Sequence, residues 1–415
     1  MKRQPFPRIV ALVAATASAA LLTGCAGLQL HGGSGGSGPG GDASPVATQK
    51  PAPKLSVTSP APWDSPLKVA VTTGALTSVA VTEKATAAPL SGAVDPSSGV
   101  WTSTDRPSPG AVYRISVVVA DGETSANLAG AVRIAQMPDA AKIHFGILPG
   151  SGQTVGVNAP IVIRFDHKVT RKDAVENALT VASTTPVLGA WHWINDSEIH
   201  FRPKAAWPAH TKVQVDFKLD GVQVSDTRYG TRDSVSLFTI GDAHQTIVDD
   251  TTHTFVYKVN GKVVFNWVTS LGKPEFETRS GNYIVLEKDA LREMTSCQAQ
   301  ITCDKTDPQY YDLKVQWDTR LSWSGTFIHG APWDSHLGLA DVSHGCIHLT
   351  LDHAKTYFDL AQYGDIVNVL HTSRTIDDLV SKGDPGASDW NVSWAQWLQG
   401  SAVGAELTTD PLPAA

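Results

Sequence analysis

The chain has 415 residues, a formal net charge of −7 and 42% hydrophobic residues. That length corresponds to about two to four domains, and the apolar fraction is high enough to exclude wholesale disorder. The acidic balance argues against nucleic acid, whose phosphates are gripped by clustered Lys and Arg, and 4 cysteines exclude a disulfide-dense scaffold.

At the amino terminus, Lys2, Arg3 and Arg8 precede an Ala-rich apolar stretch over residues 9–22. A membrane-spanning helix needs about 20 apolar residues, so this shorter run reads as the core of a signal sequence. Leu22, Thr23, Gly24 and Cys25 follow it. They resemble a bacterial lipobox, in which cleavage leaves Cys25 as a lipidated amino terminus. The alternative is an ordinary secretory signal. Residues 1–25 are therefore expected to be a lipoprotein signal peptide. The protein would then be lipid-anchored on the extracytoplasmic face of the cell membrane, facing the cell wall. Residues 26–54 are rich in Gly, Ser and Pro and read as a flexible tether, because such a segment has little apolar surface to bury.

Residues 55–139 carry short alternating runs at 68–71, 79–81 and 113–117, separated by Gly/Pro/Ser turn signals. Period-two alternation at this spacing predicts a small β-sandwich. Residues 140–241 repeat the pattern, with strands expected at 160–165 and 212–217 and one short helix over 171–179. His192 and His200 lie on a hairpin around Asn195, Asp196 and Ser197, and both read as surface positions. In residues 242–372, two strands flank Asn260-Gly261, a strong hairpin signal. Further strands are expected at 282–287, 311–317 and 365–370, with a helix over 352–363. In the tail, 373–415, Trp390, Trp394 and Trp397 fall at i, i+4 and i+7. That spacing puts them on one helical face, expected to pack the tail on the preceding domain.

Chemistry concentrates at His329 and at Ser343, His344, Gly345 and Cys346. A cysteine nucleophile needs a base, a group that orients the base, and donors for a developing oxyanion. The backbone N–H groups of His344, Gly345 and Cys346 are the candidate donors. Gly345 permits close approach of backbone to a ligand.

These residues resemble the active site of the YkuD-type L,D-transpeptidases: a histidine, a loop, then Ser/Thr-His-Gly-Cys. Residues 160–165, 189–193, 202–204, 270–274 and 389–394 resemble the multi-domain actinobacterial members. The resemblance implies a mainly β protein: two immunoglobulin-like β-sandwich domains, then a mixed β catalytic domain with a C-terminal helical tail. It implies a peptidoglycan tetrapeptide stem as substrate. Cys346 would attack the carbonyl of its third residue, D-Ala would leave, and the amine of a second stem would resolve the thioester into a 3→3 cross-link. His329 would be the base and the carbonyl of Gly330 its orienter. Tyr311, Ser324 and Gly325 fall where family members contact substrate, and carbapenem β-lactams are the expected covalent inhibitors. No cofactor is called for.

Two positions depart from the family. His348 stands where the family usually carries Asn, which replaces a neutral amide by a titrating ring at a substrate-contact position. Residues 330–342, between His329 and Ser343, form a slightly shortened loop. The alternatives left open are an L,D-carboxypeptidase, or a wall-binding lipoprotein whose site has drifted. Cys297 and Cys303 sit where the family carries a lid, in a compartment that permits disulfides, and are expected to form a local bridge. His329, His336, His344, His348, His353 and Cys346 invite a zinc reading. However, His344 and His348 would share a face only on a helix, and Ser-His-Gly-Cys reads as a turn, so no metal site is expected.

Overall fold

The computed structural model describes residues 51–122, 124–384 and 386–413. The expected lipidation at Cys25 and most of the tether lie outside the described residues. The described residues are mainly β.

The first module is a sandwich of two sheets. One has four strands in the order Leu55–Ser56, Lys68–Val71, Trp101–Ser103, Gly92–Val94, and the other has three, Ala75–Glu83, Val112–Asp121 and Thr124–Arg133. Alternation is visible in the burial of Ile115, Val117 and Val119, the inward residues of one strand. Trp63 stacks edge-on against Tyr229 of the next module, with ring centroids 4.9 Å apart.

The second module is also a two-sheet sandwich, and its sheets are completed by the end of the chain. Leu407–Thr408 pairs antiparallel with Leu188–Asn195, while Asp410–Pro411 pairs parallel with Leu179–Ser183. Its core holds Trp191, Phe201, Trp207, Phe217 and Phe238. The short helix is Lys172–Glu176, within the expected span.

This topology corrects two expectations. The tail divides between domains. Ile376, Leu379 and Ala387 enter the catalytic core, but the three tryptophans settle on the second sandwich. Only Trp394 and Trp397 lie on the helix Trp394–Gln399, which Ser393 and Gln396 start with a reciprocal capping box; Trp390 precedes it. The Arg202 guanidinium lies 4.8, 5.1 and 4.6 Å from the rings of Trp390, Trp394 and Trp397. Such contacts are each worth about 0.5–2 kcal/mol. This cation on the sandwich is what draws the indoles away from the catalytic domain. The second correction is His200, which is fully buried, not a surface residue. The tail covers the face that alternation left open, and Asp389 reaches the ring from there. His192 is half-buried, stacked on Trp397.

The third module contains two sheets. The first runs Lys262–Val268, Thr254–Val259, His244–Asp249, Ile366–Leu370, Gly281–Ile284. The second runs Glu287–Thr295, Asp312–Arg320, Phe327–Gly330, Ile347–Leu349. The helix Leu351–Leu360 packs Ala354 and Tyr357 inward and is capped by Thr350. It ends earlier than expected because Ala361 turns to extended backbone and leads the chain toward the strand Ile366–Leu370.

Candidate active site

The strands Phe327–Gly330 and Ile347–Leu349 run parallel, with Ile328 opposite Ile347 and His329 opposite His348. Successive side chains on a strand point to opposite faces. Ile328 and Ile347 therefore enter the core, while the two histidines share the other face with ring centroids 4.8 Å apart. Cys346 immediately precedes its strand, and Cys346, His329 and His348 line one cavity of about 320 Å³.

The turn carrying Cys346 is held from several sides. The Ser343 hydroxyl donates to the Cys346 carbonyl at 2.7 Å and accepts from the Gly345 N–H at 3.0 Å. Ser343 N–H donates to Leu271 and its carbonyl accepts from Lys273, both at 3.0 Å. The Thr278 hydroxyl donates to the Gly345 carbonyl at 3.2 Å. Gly345 has φ +111°, a conformation that favours glycine. Of the three expected oxyanion donors, the Gly345 N–H is thus committed to Ser343. Those of His344 and Cys346 are uncommitted among the described residues. Beneath the turn, a Cβ on Gly272 would lie 2.1 Å from the Phe276 carbonyl oxygen and 2.9 Å from the Gly345 Cα. Gly272→Ala is expected to lower stability by about 1–3 kcal/mol and to slow Cys346 acylation by displacing the turn. Thermal unfolding and carbapenem acylation rates check this, and an unchanged variant would show that the turn does not depend on this contact.

Cys346 and His329 are both electrically neutral at neutral pH. Cys346 is half-buried. Burial, with Asp318 behind it, pushes its thiol up to about 12 against weaker opposition from a backbone hydrogen bond of Phe327 and the Arg320 charge. His329 is pushed down to about 3, chiefly by burial and then by neighbouring His348. Its Nδ1 lies 3.0 Å from the Gly330 carbonyl. A carbonyl can only accept, so Nδ1 carries the proton and Nε2 is left as the basic atom.

A lid covers the cavity from the hairpin Glu287–Thr295 and Asp312–Arg320. At its tip, Cys297 and Cys303 form a disulfide. Tyr311 lies 5.0 Å from the His344 ring, and burial and Cys346 push its phenol up to about 12. His344 Nε2 donates to the Gln309 side-chain oxygen at 2.9 Å, and that oxygen also accepts from Lys273 at 2.6 Å. His344 is thus a contact between turn and lid.

Ser324 and Gly325 are placed elsewhere. The N–H groups of Trp323 and Ser324 both donate to the Asp384 carboxylate at 2.8 Å. This holds their turn against the tail, and neither Ser324 nor Gly325 lines the cavity that contains Tyr311. Conversely, the cavity includes a residue that sequence reasoning left without a role. Asp334 accepts from His348 Nδ1 at 2.7 Å. No motif or periodicity marks Asp334 or Gln309, because each acts through loop contacts.

Comparison with known proteins bears on the same regions. A family model described as the L,D-transpeptidase catalytic domain matches residues 244–369, and one for a bacterial Ig domain matches residues 59–223, spanning both sandwiches. The chain is 32% identical over 345 residues to L,D-transpeptidase 2 of Mycobacterium tuberculosis, covering 82% of this chain and 81% of that protein. It is 34% identical to L,D-transpeptidase 5 of that organism over 269 residues, 63% of this chain and 57% of that protein. The solved structure of L,D-transpeptidase 3 of the same organism, in complex with a faropenem-derived adduct, is 31% identical with a TM-score of 0.46. That match covers 55% of this chain and 97% of the solved chain. With a relative this similar along four-fifths of both chains, and with a catalytic-domain match that contains His329 and Cys346, the chain belongs to the L,D-transpeptidase family.

Proposed function

We propose that the protein forms 3→3 cross-links in peptidoglycan through a thioester on Cys346. The observation that carries this reading is the pairing, on one cavity, of the Cys346 thiol with an imidazole whose tautomer the Gly330 carbonyl fixes. In the first half-reaction, the sulfur attacks the carbonyl of the third stem residue while His329 Nε2 takes the thiol proton. The N–H groups of His344 and Cys346 face the developing oxyanion. The imidazolium then returns the proton to the departing amine of D-Ala. In the second, the side-chain amine of another stem attacks the thioester, a new C–N bond forms, and the thiol is regenerated. The anchor expected at Cys25 and the two sandwiches would hold this chemistry at the extracytoplasmic face, at a distance from the membrane.

Incubating the purified protein with tetrapeptide muropeptides should give D-Ala and 3→3 dimers, resolved by mass spectrometry, and Cys346→Ser should give neither. Hydrolysed tripeptides without dimers would assign an L,D-carboxypeptidase instead. Binding without either product would leave only a wall-binding protein. A carbapenem should leave a covalent mass on Cys346 of the wild type alone.

A further inference from the structure

Beside the nucleophile's own base lies a second imidazole with a different partner. His348 occupies the same face as His329, and its ring is only 7% exposed. Its Nδ1 is 2.7 Å from Oδ2 of Asp334, a carboxylate whose side chain is closed off from solvent. The other Asp334 oxygen accepts from the His336 N–H at 2.8 Å. Since a carboxylate accepts, Nδ1 of His348 is the donor. Nε2 has no hydrogen-bond partner among the described residues, and His348 lines the Cys346 cavity. The two rings thus differ in what orients them: a carbonyl for His329, a carboxylate for His348.

Proton accounting in the second half-reaction gives the second ring a task. An alkyl amine with a pKa near that of lysine, about 10.4, arrives as an ammonium ion. Aminolysis of the thioester breaks the sulfur–carbon bond, forms a carbon–nitrogen bond, and removes two protons from the acceptor nitrogen. One ends on the Cys346 sulfur. The other must leave before attack, because an ammonium has no lone pair. His329 can carry the proton that ends on sulfur, but it cannot hold both. We propose that His348, oriented by Asp334, removes the first proton from the acceptor ammonium and passes it to water. His329 then carries the second to the departing sulfur. This rests on the reading that the acceptor is an amine.

The groups facing His348 fit this task. On the adjoining strand stands His329, which is neutral at ordinary pH because burial, and then His348, push it down to about 3. His344 and Cys346 face it from the turn, with burial lowering the first and raising the second. The loop after the strand Phe327–Gly330 contributes Asp334, with exposed His336 3.7 Å from its carboxylate. Residues 269 and 270, packed on the His348 backbone, are Thr and Ser and carry no charge. Asp334 is therefore the carboxylate in contact with this ring.

The test uses two acceptors that differ in charge. Wild type, His348→Gln and Asp334→Asn are acylated with tetrapeptide donor, and the loss of the thioester is followed by intact mass. One acceptor is a stem peptide with an alkylammonium side chain. The other is methoxyamine, whose nitrogen is uncharged at neutral pH and needs no prior deprotonation. With the ammonium acceptor, His348→Gln should slow transfer by about 10- to 100-fold and Asp334→Asn by less. With methoxyamine, both variants should stay within about threefold of wild type. Transfer to the ammonium acceptor should also regain rate in the variants as pH rises toward the acceptor's own pKa. Equal slowing with both acceptors would assign the pair a purely structural role and overturn the proposal, as would no slowing with either. A wild type that forms no thioester at all would overturn the transpeptidase reading as well, so the two failures are distinguishable.

Discussion

Replacing His329 by Gln is expected to slow acylation of Cys346 by about 10²- to 10⁴-fold, the range for loss of a positioned general base. The reason is the charge state of the pair. A thiol pushed up to about 12, on the same cavity as an imidazole pushed down to about 3, is not a preformed thiolate–imidazolium couple. Almost no thiolate is present at neutral pH, so attack depends on proton transfer to His329 Nε2 as the sulfur–carbon bond forms. The neutral pair is the active form between those two values, so wild-type acylation by a carbapenem should show no break near pH 6.5. Iodoacetamide, which reads the free thiolate, should instead react slowly, with a rate rising about tenfold per pH unit through pH 9. Stopped-flow acylation and alkylation rates over pH 5–9 check both. An acylation break near pH 6.5 together with an alkylation plateau below pH 8 would establish a preformed ion pair and sink the argument.

The parts of this site legible in the sequence are those made by neighbours in sequence. Ser343, Gly345 and Cys346 hold one turn through bonds that span two or three residues, and Asn260-Gly261 joins two adjacent strands. His329 and the Gly330 carbonyl were named from the family resemblance, and the two are adjacent in sequence. The partners that were not legible lie far away along the chain. Asp389 meets His200 across 189 residues, and the tail strands join the second sandwich across more than 200. Alternation says which face of a strand looks outward, not whether something later in the chain will cover it. This is why His200 reads as exposed, and why the tryptophan spacing predicted a shared face without naming the Arg202 that receives it. Asp334 and His348 are an intermediate case. They are 14 residues apart, and His348 was singled out in the resemblance, but its carboxylate appears only when the loop over residues 330–342 folds back toward it.

The covering of His200 makes its removal the largest stability effect expected outside the catalytic centre. Its ring is wholly buried, with Nδ1 2.7 Å from Asp389 and Nε2 2.9 Å from Glu198. Both partners are carboxylates and only accept, so both ring nitrogens donate and the ring is an imidazolium. Burial alone would lower its pKa, but the two carboxylates outweigh it and raise it from 6.5 to about 9. His200→Ala would leave the buried Asp389 carboxylate without its hydrogen-bonded cation, while half-buried Glu198 keeps Arg164 at 3.0 Å, a loss of about 3–5 kcal/mol. Asp389 belongs to the segment that carries Trp390, so the tail should loosen with it. Because the folded value lies above the unfolded one, the contribution is fully present below about pH 6.5. It then declines as pH rises through 9, and a rise of that size corresponds to about 3 kcal/mol. Thermal unfolding of wild type and variant at pH 6 and pH 10, with limited proteolysis of the tail as a local readout, measures the effect. The difference between the two proteins should be large at the lower pH and much smaller at the higher. A gap that stays constant across that range would mean that the ring is held as a neutral group, and that packing rather than charge fastens the tail to the second sandwich.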